Sequence, residues 1–257
     1  MKPNEQAIGI FDSGLGGLTI LRAVKKLMPK ENIIYFGDTA HSPYGSKSKE
    51  TVAEYSLNIA KFLESKKVKL ILVACNTASA LALPVLKRHI KAPVLGVIEP
   101  GAACAAKAAI NKKVTVLGTE ATVKSKEYIK NIKKLDKSIA VTQYACPLFV
   151  PIIEEGLAGS DICKLAIKRY LTPLKTDKAD TVILGCTHYP VIKEDIAKFL
   201  GPKVTLVDSA EEIAKRAKEA LLRAGLLKTG GKSSTQIYAS DLSERFARLA
   251  LNIIGGK

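Results

Sequence analysis

The chain has 257 residues, a net charge of +16 and a composition that is nearly half apolar. These values exclude a disordered or fibrous protein and leave room for one large domain or two medium ones with packed cores. Its five cysteines are odd in number and form no Cys-x-x-Cys pair, which excludes a disulfide scaffold or a zinc ribbon.

Short β-branched runs alternate along the chain with longer helical ones, the pattern of a parallel α/β sheet. Strands are predicted at 8–11, 33–36, 70–74 and 94–97, and again at 114–117, 140–143, 181–184 and 204–207. The second series repeats the first at an offset of about 106 to 111 residues, which predicts two α/β units of similar topology. The first domain is expected to comprise 1–98 plus 210–257, and the second 99–209. The tail from Gln236 reads as a short strand and an amphipathic helix that close the first domain, with a subunit contact as the alternative. The longest apolar stretches, such as 70–75, are far too short to span a bilayer, and the first residues lack the pattern of a secretory signal. A soluble, cytoplasmic protein with no membrane partner is expected.

Equivalent points of the two halves carry the same chemistry. VKLILVACNT ends a predicted strand at Cys75, and ADTVILGCTH ends one at Cys186. Both thiols fall at the carboxyl edge of a parallel sheet, just before a predicted helix, where open α/β sheets bind ligands and helix N-termini favour the thiolate. Two such cysteines facing each other across a cleft suit removal of a Cα proton from one face and its replacement on the other. Asp12 and Ser13 follow the first strand, and Thr119 follows its counterpart. Ser13, Thr77, Thr119 and Thr187 are candidates for carboxylate binding, with Asn76 for either substrate pole. Asp12, Glu154 and His188 are candidates for adjusting the thiols. Cys104, Cys146 and Cys163 lack any matching context and read as packing residues.

Rival chemistries are weaker. A cysteine peptidase or acyltransferase needs one thiol activated by a histidine, and Cys75 has no adjacent histidine. Cys186 and His188 are close in sequence, but residues two apart need not touch after a turn. Gly14, Gly16 and Gly17 follow a strand without GxGxxG spacing, and GGKSS near Gly230 lacks both the first P-loop glycine and a preceding strand. The three glycines are expected instead to let the backbone approach a substrate closely. The basic charge fits phosphate binding. However, the lysines are spread along nearly every predicted helix (Lys124, Lys126, Lys130, Lys133, Lys134 and Lys137 in one stretch), with no arginine cluster or aromatic-interleaved patch. Specific nucleic-acid recognition is not expected, and any DNA affinity should be weak and non-specific.

The segments IGIFDSGLGGLTIL, IIYFGDTAHSPYGSKS, VACNTASA, GVIEPG, GTEATVKS, CPLFVPIIEEG and GCTHYP together resemble the glutamate racemases of bacterial peptidoglycan synthesis, over almost the full length. The resemblance implies two α/β domains related by pseudo-twofold symmetry, with the active site between them and no cofactor or metal. It implies that Cys75 acts on the D-enantiomer and Cys186 on the L-enantiomer, assisted by Asp12, Glu154 and His188. Substrate contacts would fall to Asp12, Ser13, Tyr44, Gly45, Asn76, Thr77, Thr187 and His188. Glutamate is the implied small-molecule partner. Aspartate is the alternative, disfavoured because aspartate and hydantoin racemases more often follow the second cysteine with Thr-Glu than with Thr-His. Members of the family differ in oligomeric state, so a homo-oligomer is compatible with the resemblance, and some inhibit DNA gyrase as a side activity.

Overall fold

A computed structural model of the chain describes residues 2–244, 246, 247 and 251. In chain order the elements are β1 (Ile8–Asp12), α1 (Leu18–Leu27), β2 (Ile33–Gly37), α2 (Lys49–Ser65), β3 (Leu70–Val73), α3 (Asn76–Leu81), α4 (Leu83–His89) and β4 (Val94–Gly96). They continue with α5 (Ile98–Ala108), β5 (Lys113–Gly118), α6 (Glu120–Ser125), α7 (Glu127–Leu135), β6 (Ala140–Ala145), α8 (Phe149–Glu154), α9 (Asp161–Leu171) and α10 (Leu174–Asp177). The last are β7 (Thr181–Gly185), α11 (Lys193–Leu200), β8 (Thr205–Val207), α12 (Ala210–Arg223) and β9 (Thr235–Ala239). Every strand predicted from the sequence is present, as expected for runs whose side chains are buried on both faces of a parallel sheet.

The chain divides into two compact units, one formed by Met1–Val97 with Ala210–Lys257 and the other by Ile98–Ser209. The first holds a sheet of order β4-β3-β1-β2-β9, the second a sheet of order β6-β5-β7-β8. All described pairings are parallel. Read from the other edge, the second sheet runs β8-β7-β5-β6. This is the order of β4-β3-β1-β2, with β1 matching β5 and β3 matching β7. The repeat seen in the sequence is therefore a repeat of topology, with β9 as an added edge strand on the first sheet.

In the first unit both sheet faces are covered. Ile8, Ile10, Ile33, Tyr35, Leu70 and Leu72 pack with α1 and α12. Phe11, Ile34, Ile71 and Val73 pack on the other face with α2, α3 and α4. The chain after Ser209 thus returns to the first unit, and the buried Phe246 joins the same core as α1 and α12. The remainder of the expected C-terminal helix lies outside the described residues. In the second unit Leu117, Val182 and Leu184 pack with α8, α9 and α11, while α5 and α7 cover the opposite face. No helix among the described residues is long and apolar enough to cross a membrane.

At the amino ends of the first sheet's strands lies a buried ion pair. Lys69, just before β3, sits 2.5 Å from Glu31, just before β2, with both side chains almost wholly buried. The Lys69 ammonium also donates to the Asn4 carbonyl at 2.7 Å and the Leu226 carbonyl at 3.0 Å. Glu31 accepts from the Lys228 amide at 2.9 Å. These bonds tie the N-terminal segment, two strand starts and the return from α12 to one point. Removing one partner would leave a buried charge whose desolvation the remaining hydrogen bonds offset only in part. Lys69→Met should lower the free energy of unfolding by about 3–5 kcal/mol, read from urea unfolding, and Lys69→Met with Glu31→Gln should recover part of it. A double variant no more stable than the single one would show that the uncompensated carboxylate is not the source of the loss.

Candidate active site

Parallel strands deliver their carboxyl ends to one edge of a sheet, where loops and helix starts gather polar groups. In the first unit Asp12 closes β1 and is completely buried. The Gly14 amide donates to its Oδ2 at 3.0 Å, forming a tight turn. A Cβ on Gly17 would lie 2.4 Å from the Asp12 Cβ and 2.9 Å from the Tyr35 hydroxyl, so only glycine fits there. Gly17 thus makes room for the protein's own Asp12. The buried Tyr35 hydroxyl donates to the Gly14 carbonyl at 2.8 Å and holds the same turn from below.

Cys75 follows β3 and is the N-cap residue of α3, its sulfur accepting from the Ala78 amide at 3.5 Å. Its thiol also reaches the Ser13 hydroxyl at 3.5 Å. Asn76 and Thr77, both buried, form the first turn of α3. Ser79 anchors that turn, donating to the Val73 carbonyl at 3.0 Å and accepting from the Val97 amide at 3.2 Å. Tyr44 and Gly45 sit in a short 3-10 turn after a cis Ser42–Pro43 bond. The Tyr44 hydroxyl donates to Asp38 at 2.5 Å, and the other oxygen of Asp38 lies 2.8 Å from the His41 Nδ1. Burial first, then the hydrogen bond to Asp38, the charge of Asp38 and the charges of Cys75 and Asp12 raise the Tyr44 phenol far above its ordinary value. It therefore keeps its proton and serves as a donor.

The first unit thus brings Asp12, Ser13, Tyr44, Cys75, Asn76 and Thr77 to one sheet edge. Two residues that the sequence reading did not select, Tyr35 and Asp38, hold them there. The signal for Asp38 was present in FGDTAH, a carboxylate immediately after a strand. Nothing local distinguished Tyr35 from an ordinary buried aromatic.

The second unit treats its thiol differently. Cys186 follows β7 directly and is buried, as are Thr187 and His188. The expected helix does not begin there: residues 187 and 188 turn, Tyr189–Ile192 form a 3-10 helix, and α11 starts only at Lys193. Pro190 stands in that helix, and the Tyr189 ring is buried against Phe149 with its hydroxyl donating to the Cys146 carbonyl at 3.1 Å. Cys186 therefore gains no α-helix N-terminus. It has a histidine instead: the sulfur lies 3.8 Å from the His188 Nδ1, and the His188 Nε2 lies 3.1 Å from the Glu154 Oε1. Residues two apart need not touch after a turn, but here the turn after β7 brings the imidazole to the sulfur. Glu154, which on sequence could equally be a surface carboxylate, is 29% exposed in its side chain and pairs with that imidazole.

The remaining candidates have structural employment. Thr119 caps α6, accepting from the Thr122 amide at 3.2 Å and donating to the Thr122 hydroxyl at 3.0 Å. Cys146 and Cys163 are completely buried and Cys104 is half-buried. Burial, followed by the nearby charge of Cys186, pushes the Cys146 thiol up to about 12, so it stays protonated.

Each unit therefore presents one thiol at the carboxyl end of an equivalent strand, Cys75 beside the Ser13 hydroxyl and Cys186 beside the His188 imidazole. The family model described as Asp/Glu/Hydantoin racemase matches residues 18–243. The glutamate racemase of Geobacter metallireducens is 48% identical over 98% of this chain and 94% of its own. A glutamate racemase isoform from Bacillus anthracis superposes with a TM-score of 0.94 at 36% identity, covering 98% of this chain and 95% of that one. The glutamate racemase of Francisella tularensis, solved in complex with D-glutamate, gives a TM-score of 0.92 at 38% identity, covering 98% of this chain and 94% of the other. A family match over most of the chain, together with relatives this similar along nearly their whole length, means that the chain belongs to the Asp/Glu/Hydantoin racemase family, as a glutamate racemase, an isomerase.

Proposed function

We propose that the enzyme interconverts L- and D-glutamate by two-base proton transfer at Cα, with Cys75 and Cys186 as the bases and no cofactor, and that it supplies D-glutamate for peptidoglycan. The observation that carries this reading is the equivalence of the two thiols. They follow β3 and β7, the matching strands of two sheets of the same order, and each has polar groups at its sulfur. In one direction the thiolate of one cysteine takes the Cα proton, and the electron pair of the C–H bond stays on the substrate as a carbanion delocalised into the carboxylate. The thiol of the other cysteine then donates its proton to the opposite face. The two sulfurs exchange roles for the reverse direction, so each must be able to hold and to lose a proton.

By resemblance, Cys75 serves the D-enantiomer and Cys186 the L-enantiomer. Asp12 assists at the first thiol, and His188, held by Glu154, assists at the second. Ser13, Tyr44, Gly45, Asn76, Thr77, Thr187 and His188 hold the substrate, the neutral Tyr44 hydroxyl being itself committed to Asp38. The similarity to glutamate racemases along nearly the whole chain supports glutamate as substrate, and the buried Thr187-His188 pair after the second cysteine agrees with it.

The test follows each enantiomer of glutamate in deuterated water, by circular dichroism for loss of optical activity and by NMR for deuterium uptake at Cα. Racemisation with solvent deuterium incorporation is expected. Cys75→Ser and Cys186→Ser should each lower it by about 10²–10⁴-fold. Turnover of aspartate alone would replace the substrate and keep the mechanism, whereas near-normal racemisation by either variant would remove that cysteine from the reaction.

His188→Asn provides a second check. Enantiomers have equal free energies, so the equilibrium constant is one and kcat/KM must be the same in both directions for every variant. The substitution should therefore lower kcat/KM equally for both enantiomers, by about 10²-fold or more if the imidazole relays the proton. It should also displace one limb of the bell-shaped pH profile. An unchanged profile with a modest uniform loss would reduce His188 to a packing role.

A further inference from the structure

We propose that the second unit carries a binding site for a small anion with an aromatic body, at the end of its sheet opposite Cys186. Where the amino ends of β5 and β7 meet α10 and α11, the layers leave a cavity of about 460 Å³, within the range of small-molecule sites. Its floor is formed by Thr115 and Val182, register partners on adjacent strands. Strand alternation puts Thr115 on the same face as Leu117, which packs in one core with Val182 and Leu174. The Thr115 side chain is therefore directed to the face that the cavity occupies. That hydroxyl is wholly buried and has no hydrogen-bond partner, which is costly for a polar group in an apolar wall unless a ligand meets it.

The walls are apolar, with Leu174, Leu200 and Val204, and the Phe199 ring lies beneath the Lys175 ammonium at 4.5 Å. The rim is cationic, with Lys175, Lys178 and Lys203 against one carboxylate, Asp180. Asp180 is already committed, accepting from the Asn111 amide at 2.8 Å and the Thr181 hydroxyl at 3.1 Å. Positive charge thus remains in excess at the mouth. Together these features suit a ligand whose ring lies along Phe199, whose inner end carries a hydroxyl or carbonyl for Thr115, and whose outer end carries a carboxylate or phosphate for the lysines. None of these residues belongs to the racemase machinery, and Cys186 stands at the other end of β7.

The probe is 4-hydroxybenzoate, with benzoate as its comparison, followed by saturation-transfer NMR on the whole chain. Excess D-glutamate keeps carboxylates off the racemase site. Transfer to 4-hydroxybenzoate is expected at millimolar concentration, strongly reduced by Val204→Trp, which fills the cavity, and by Lys175→Ala with Lys203→Ala. Thr115→Val, which keeps shape and removes the hydroxyl, should weaken 4-hydroxybenzoate about threefold to tenfold and leave benzoate unchanged. Racemisation at the wild-type rate in each variant shows that the fold is intact. Should Val204→Trp fail to fold, the lysine pair and Thr115→Val carry the test alone. Absence of transfer in the wild type would overturn the proposal. So would equal transfer in every folded variant, which would assign the probe to the general lysine surface.

Discussion

The structure depends on the strands of each sheet being parallel. A parallel pair cannot close with a hairpin, so every connection crosses over through a helix, and both faces of the sheet are buried. That single requirement sorts the loops into two sets. One edge collects the carboxyl ends of the strands, with Asp12, Ser13 and Cys75 in the first unit and Cys186, Thr187 and His188 in the second. The other edge collects the strand starts, where the first unit places its Lys69–Glu31 pair. The candidate site residues and the buried structural charges are thereby separated by the length of a strand, and a change in one set need not disturb the other.

The two units share strand order but surround their thiols differently. Cys75 stands at a helix start, receiving a backbone amide on its sulfur with Ser13 alongside. Cys186 has no such helix and is matched with an imidazole that a carboxylate orients. The divergence has a local cause. Asn76, Thr77 and Ala78 continue directly into α-helix, whereas Pro190 and the buried Tyr189 hold the segment after Cys186 in a 3-10 turn. A helix N-terminus favours a thiolate through fixed dipoles, while an imidazole can also carry the proton away. Equivalent positions in a duplicated fold thus differ in the groups that surround the sulfur.

Close packing supports both arrangements. Asp12 is held by the amide of Gly14, by the missing side chain of Gly17 and, through the turn, by the Tyr35 hydroxyl. Tyr44 is held by Asp38, which His41 meets from the other side. The many surface lysines take little part: several pair only with a carboxylate one turn away, as Lys130 does with Glu127 and Lys164 with Asp161. Exposed pairs of this kind contribute about 0–1 kcal/mol each.

The amino-acid sequence by itself determined the strands, the duplication and the two cysteines. The period of buried β-branched runs is local, and the residues around each thiol repeat at a fixed offset. It also marked Asp12, Ser13, Asn76, Thr77, Thr187 and His188, because each is a neighbour in the chain of a strand end. Tertiary structure alone decided the contacts between residues far apart in sequence. These are His188 with Glu154, 34 residues away, the Tyr35 hydroxyl under Gly14, and Lys69 with Glu31. It decided as well that Gly17 yields to Asp12, and that Cys186 meets a histidine rather than a helix. Such outcomes turn on side-chain rotamers and on how closely two segments approach, and a one-dimensional pattern contains neither.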